Sequence, residues 1–191
     1  LAMVYDSAGY LPESYTYDNP FIYQNELYST LLGEPVELYK KLDHKVYRND
    51  QYRSLYEVEV PSGNYAIYGN IPWDDGESAI LDVNGKYNTK YARWLSPSVF
   101  YIPVDRNAEQ FKVCMYSSSP LKNRVGQEQF YALDLDKLAE VTKTLRSKAV
   151  KSMNIKGGYA EFNVKASVGQ NMFVSIPYSD GWTVMIDGEE Q

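Results

Sequence analysis

Between Leu55 and Leu133, apolar residues recur at every second position in short runs, and turn signals close these runs. Tyr56, Val58 and Val60 alternate with Glu57 and Glu59, and Pro61-Ser62-Gly63 ends the run. Successive side chains of a strand point to opposite faces, so this period buries one face and leaves the other wet. Residues 65–71, 79–83, 98–104, 110–115 and 129–133 read as further strands. Asn84-Gly85 is a hairpin signal, because the tight turn needs positive φ at both central residues. So many short strands with turns between them define a mainly β chain with some helix, built as one or more jelly-roll-like β-sandwiches.

Two stretches change period. Residues 134–150 carry Leu138, Val141, Leu145 and Ala149 three or four apart, with Lys137, Glu140, Lys143 and Lys148 around the rest. This spacing predicts an amphipathic helix, capped at its start by Asp134 or Asp136 and closed by lysines that suit its negative end. A shorter helix is expected over 22–32, where Tyr23, Leu27 and Leu31 recur at spacing four before Gly33 and Pro35. Beyond 150, strands are expected at 159–164, 172–176 and 182–186. The last precedes an Asp187-Gly188 turn whose return strand is missing, so the chain reads as an excised segment. The organisation is therefore a mixed N-terminal segment (1–53), a β-sandwich domain (54–133), and a helix plus strands of a second, truncated β unit (134–191).

Composition removes several functions. The net charge is −6, from 19 Lys+Arg against 25 Asp+Glu, with no basic run, so no nucleic-acid partner is expected. No apolar stretch reaches the roughly 18 residues of a membrane span, and the opening residues lack the basic and apolar regions of an export signal. Cys114 is the single cysteine, so no internal disulfide can form. His44 is the single histidine, in a polar stretch, Leu42-Asp43-His44-Lys45, that reads as a solvated turn. Clustered His/Cys metal sites are thereby removed, and Cys114 with His44 is the only conceivable thiol dyad. Phosphate-binding glycine loops and nucleophile elbows are absent from the sequence. No catalytic residue, metal or cofactor is expected.

The 19 tyrosines suit half-buried sheet faces, and they also suit saccharide contact, where a ring lies against a sugar face. Trp73, Asp74 and Asp75 are the candidate carbohydrate-binding residues: a ring at a turn beside two acceptors. With Glu77 the same acids offer oxygen ligands of the kind calcium takes, but acid-rich turns are more often simply solvated. Trp94 is a further aromatic candidate, whereas Trp182 shares a strand face with Val184 and Ile186 and is expected in a core. Ile71-Pro72-Trp73-Asp74-Asp75-Gly76 is echoed by Ile176-Pro177-Tyr178-Ser179-Asp180-Gly181. Each copy follows a strand that itself follows an alternating strand, and precedes an apolar strand and a glycine turn. The echo fits either an internal duplication or repeated use of common turn residues.

The run from Phe173 to Gly188, with Ser175-Ile176-Pro177-Tyr178, Gly181-Trp182, Val184 and Asp187-Gly188, resembles the S-I-P-Y-x-x-G-W-x-V-x-V-D-G signature of YfhO-type bacterial membrane proteins. Pro20-Phe21, Gln24-Asn25, Leu27 and Leu31-Leu32-Gly33 are similar to that family's P-F-x-x-Q-N-x-L-x-x-x-L-T-G stretch, with Leu32 where Thr is usual. Tyr10-Leu11-Pro12 is similar to a weaker pattern before it. The resemblance covers essentially the whole chain. It implies an extracytoplasmic, non-catalytic part of a multi-pass protein resembling glycosyltransferases that modify surface polymers such as lipoteichoic acid in Gram-positive bacteria. The implied catalytic carboxylate lies in an extracytoplasmic loop early in the membrane domain, outside this segment. The implied partners are the parent protein's own transmembrane helices and a cell-wall glycopolymer or saccharide, at the extracellular side of the membrane. A free-standing carbohydrate-binding module and a purely structural or protein-interaction domain are the alternatives.

Overall fold

A computed structural model describes residues 1–6, 19–71, 79–91, 99–105, 108–121, 126–177 and 179–191. The elements run β1 (Ala2–Asp6), α1 (Pro20–Leu32), β2 (Tyr39–Lys41), β3 (His44–Asp50), β4 (Arg53–Glu59), β5 (Tyr65–Asn70), β6 (Ala79–Val83) and β7 (Lys86–Tyr91). They continue with β8 (Val99–Ile102), β9 (Gln110–Tyr116), β10 (Gln129–Asp134), α2 (Leu135–Lys148), β11 (Ser152–Lys156), β12 (Tyr159–Asn163), β13 (Gln170–Val174), β14 (Met185–Ile186) and β15 (Glu189–Glu190). Over the described residues the chain is mainly β with two helices, as its periods predict.

Two antiparallel sheets form the centre. One has the order β2-β10-β5-β8, the other β3-β4-β9-β6-β7. Successive strands cross repeatedly between the sheets, so their inner faces share one core, the connectivity of a jelly roll. That core joins Tyr56 and Val58 of β4, Leu81 and Val83 of β6, and Phe111, Val113 and Met115 of β9 to Ile67, Phe100, Ile102, Phe130 and Ala132 of the facing sheet. Gly69 of β5 lies where any β-carbon would overlap the Phe100 ring, so the aromatic settles directly on bare backbone. Asn84 (φ 50°) and Gly85 (φ 75°) make the tight β6–β7 turn that the Asn-Gly pair predicts.

β2 and β3 lie ahead of residue 54 and hydrogen-bond into the two sheets, pairing with β10 and β4 respectively. Their sequences, Tyr-Lys-Lys and His-Lys-Val-Tyr-Arg-Asn-Asp, show little of the apolar alternation that reveals central strands. Both are edge strands, where charged side chains are tolerated and discourage pairing with other chains.

The outer face of the four-stranded sheet is covered by helices. Asn19 caps α1 by accepting from the Phe21 and Ile22 amides, Pro20 occupies the first turn, and Gly33 closes it in the left-handed region. Phe21 then stacks on Tyr131, with ring centroids 4.4 Å apart. Asn25 ties the helix to β2: its Oδ1 accepts from the Leu38 and Tyr39 amides and its Nδ2 donates to the Tyr39 carbonyl, each at 2.9 Å. Asp134 caps α2 through the Lys137 amide at 3.0 Å, and Val141 and Leu145 are buried on the predicted face. With Met3 and Tyr5 of β1 and Leu31, Val36, Leu38 and Leu133, they make a second apolar cluster.

Beyond α2 the strands other than β13, whose Phe173 packs against this second cluster, lose their cover. The β11–β12 and β14–β15 hairpins are each separate two-stranded sheets, and β13 pairs with β1. Met153, Ile155 and Val164 are exposed, as are Val184, Met185 and Ile186. Trp182, expected on a strand face in a core, lies ahead of β14 outside any strand and is 39% exposed. The return strand that looked absent is present in brief, with Met185 opposite Glu190 across the Asp187-Gly188 turn. The strand ahead of that turn is also shorter than its alternation predicts, covering only Met185–Ile186.

Candidate functional site

β7 and β8 are edge strands of different sheets, brought side by side at the open flank of the sandwich. A register shift interrupts the pairing of β7 with β6: Leu81 pairs with Thr89 and Asp82 with Tyr87, which leaves Asn88 as the extra residue of a bulge. A bulge re-aims its side chain. Asn88 accordingly reaches across the gap, and its Nδ2 donates to the Tyr101 carbonyl at 3.0 Å. The result is a groove of about 440 Å³ lined by Asn88, Thr89, Lys90, Tyr91, Val99, Phe100 and Tyr101. That volume falls within the range of about 300–1,000 Å³ usual for small-molecule sites.

The lining divides into a rigid floor and a polar rim. Tyr91 and Phe100 are buried, with rings 5.3 Å apart in an edge-on arrangement. Tyr91 Oη accepts from the Ile71 amide (3.1 Å) and lies 3.0 Å from the Ile71 carbonyl, to which it donates. Burial pushes its pKa up to about 12, so this hydroxyl stays neutral at any physiological pH. At the rim Tyr101 is 55% exposed, and its ring is braced edge-on by Tyr68 at 5.7 Å. Tyr68 in turn meets Tyr39 at 6.2 Å, so a ladder of tyrosines runs across the outer face of the sheet to the groove. Lys90 is exposed and makes no ion pair among the described residues.

The sequence candidates Trp73, Asp74 and Asp75, with Glu77, fall in 72–78 and lie outside the described residues, as does Trp94 in 92–98. Their flanking residues are placed, however. Ala79 pairs with Tyr91, Tyr91 bonds the Ile71 backbone, and Val99 pairs with Asn70.

His44 corrects its sequence reading. It is not in a solvated turn but opens β3 beside buried Leu42, its ring 5.2 Å from Phe130 and 6.3 Å from Tyr56. Its Nε2 lies 3.4 Å from Oε1 of Glu128, a carboxylate only 2% exposed. Burial alone would push the Glu128 pKa up, but hydrogen bonds from His44 and from the Glu128 and Gly126 amides outweigh it and hold the carboxyl below its ordinary value. The pair bridges the two sheets. Cys114 sits elsewhere, on the outer face of β9, accepting from Arg53 Nε at 3.1 Å. By register His44 stands across β4 from Phe111, which puts Cys114 a further three residues, roughly 10 Å, along β9. No thiol–imidazole pair forms. Among the described residues no three His, Cys, Asp or Glu side chains converge as metal ligands.

Asn88, Lys90 and Tyr101 were not singled out from sequence. Nothing in Lys86-Tyr87-Asn88-Thr89-Lys90 announces a bulge, and Tyr101 differs from the other tyrosines only in where its strand is placed.

The architecture is that of a jelly-roll domain with a polar groove between its sheet edges. None of its described helices is long and apolar enough to cross a membrane. The family model for the bacterial membrane protein YfhO matches residues 3–191, and the chain belongs to that family. No curated protein matches it, and no solved structure does.

Proposed function

We propose that this chain is an extracytoplasmic domain, without catalytic residues of its own, of a multi-pass membrane protein that glycosylates cell-surface polymers such as lipoteichoic acid. The observation that carries the reading is the family match over 3–191 on a stretch that folds as a β-sandwich, with helices of 13 and 14 residues. An α-helix needs about 20 residues to span a bilayer, so the membrane-embedded part of such a protein has to lie elsewhere in it. In this reading the sandwich holds the acceptor glycopolymer near the membrane, leaving chemistry to the membrane core. Residues 150–191 form a second β unit, whose exposed apolar face packs against the rest of the parent protein. The test uses the full-length protein in intact cells, with Cys114→Ser removing this chain's thiol and Tyr87→Cys supplying a label site at a position 67% exposed, read against Cys114→Ser alone. Labelling by a membrane-impermeant maleimide without lysis is expected. Labelling only after permeabilisation places the domain in the cytoplasm and ends the proposal.

A second reading, a carbohydrate-binding module acting independently of any transferase, is favoured by the Tyr101 groove. It predicts glycan binding that is indifferent to the membrane part.

A further inference from the structure

We infer that the β7–β8 groove is a subsite for a single sugar ring of a glycan, with Tyr101 as its stacking surface and Asn88, Thr89 and Lys90 as its hydroxyl partners. The inference rests on the reading of this domain as one that contacts glycan, and names where and through which atoms. A pyranose presents a flat C–H face and a fringe of hydroxyls, so it needs one exposed ring together with several donors and acceptors. The groove supplies both. Tyr101 offers its ring at the rim, and Tyr68 at 5.7 Å holds that ring in place before any ligand arrives, which lowers the entropy cost of binding. Asn88 uses one amide hydrogen on the Tyr101 carbonyl at 3.0 Å. Its other N–H and the carbonyl Oδ1 are available across the groove, an arrangement that can donate to one hydroxyl and accept from the next. Thr89 adds a hydroxyl and Lys90 an ammonium group without an ion pair among the described residues.

The other occupant such a flank can take is an extended peptide, added as a strand to an open edge. The geometry disfavours it. Strand addition needs a continuous row of free backbone groups along one edge, but β7 is bulged at Asn88, and the Asn88 side chain already occupies the Tyr101 carbonyl of β8.

The deciding experiment titrates the full-length protein in nanodiscs with methyl glycosides of glucose, galactose and N-acetylglucosamine, read by saturation-transfer NMR. At least one glycoside is expected to bind at millimolar concentration. Loss of the ring in Tyr101→Ala should weaken it about tenfold, equivalent to 1.4 kcal/mol, and Asn88→Ala about fivefold. Tyr101→Phe should keep most of the affinity, because the ring face and not the hydroxyl makes the contact. Tyr47→Ala, at an exposed tyrosine on β3, should change nothing. Unchanged thermal unfolding of each variant separates lost contact from lost fold. If a glycoside binds with equal affinity to wild type, Tyr101→Ala and Asn88→Ala, the groove is not the subsite, although the glycan reading survives. Failure of every glycoside overturns the subsite while leaving the maleimide result on topology untouched. Displacement of the bound glycoside by a short alternating Thr-Val peptide, with binding of that peptide insensitive to Tyr101→Ala, assigns the flank to strand addition and overturns it too.

Discussion

Glu57-Val58-Glu59-Val60 and Glu161-Phe162-Asn163-Val164 carry the same alternation, yet Val58 is fully buried while Phe162, at the matching position, is only half-buried, and Val164 after it is 40% exposed. The two strands differ in neighbours rather than in pattern. β4 lies between β3 and β9 in a five-stranded sheet whose inner face meets a second sheet, whereas among the described residues β12 pairs only with β11. An alternating strand states which face it wants covered. It cannot supply the cover. Each apolar side chain that finds a facing sheet gains about 1.5–3 kcal/mol, and a lone hairpin gains almost none of this, which is why isolated hairpins are marginal in water.

The contrast can be broken most directly by making one substitution in both regions. Ile67→Ala, in the shared core at 3% exposure, should cost about 2–5 kcal/mol in a urea unfolding titration. Ile155→Ala, at 61% exposure on β11, should stay within about 0.5 kcal/mol in the isolated chain. Equal losses at the two positions would mean that the C-terminal strands are covered in solution.

Glu128→Ala sharpens the comparison from the polar side. It strips the acceptor from the His44 ring and from the Gly126 amide, and should cost about 1–3 kcal/mol at neutral pH. The folded-state pKa of Glu128 is depressed, so its stabilisation is complete above the ordinary carboxyl value of 4.5 and is lost as pH falls through the lower folded value. Wild type should therefore lose stability below about pH 4.5 more steeply than Glu128→Ala, as followed by circular dichroism. Parallel pH profiles would show that the two sheets are not held together by this pair.

At the junction of the two regions, Asp134→Ala removes the cap of α2. A loss of about 1 kcal/mol in thermal unfolding is expected. The Asp134 carboxyl is held below its ordinary range, first by the Lys137 amide and then by Lys40, so this loss too should fade in acid. If the β11–β12 hairpin amides then exchange faster with solvent while the core amides do not, α2 is what anchors the C-terminal strands to the sandwich.

Much of the fold was legible because local patterns and tertiary packing agreed. β6 follows its alternation from Ala79 to Val83, and α2 starts at its predicted Asp134 cap. β2 and β3 were hidden by their lysines, tolerable on edge strands but easily read as loop. His44 was misread because its polar neighbours hid the aromatic pocket that β10 brings to it from the opposite sheet. The groove was illegible for a further reason. A bulge is a property of two paired strands, and the sequence of β7 by itself does not record where β6 slips against it.

The sequence by itself determined the β class, the two helices with their caps, the Asn84-Gly85 turn and the family motifs, since each depends on residues near one another in the chain. Tertiary structure alone decided which strands found a facing sheet and which stayed exposed. It also decided that His44 meets Glu128 and that Asn88 reaches Tyr101. These outcomes hinge on contacts between residues distant in sequence, which exist only once the sheets have closed on each other.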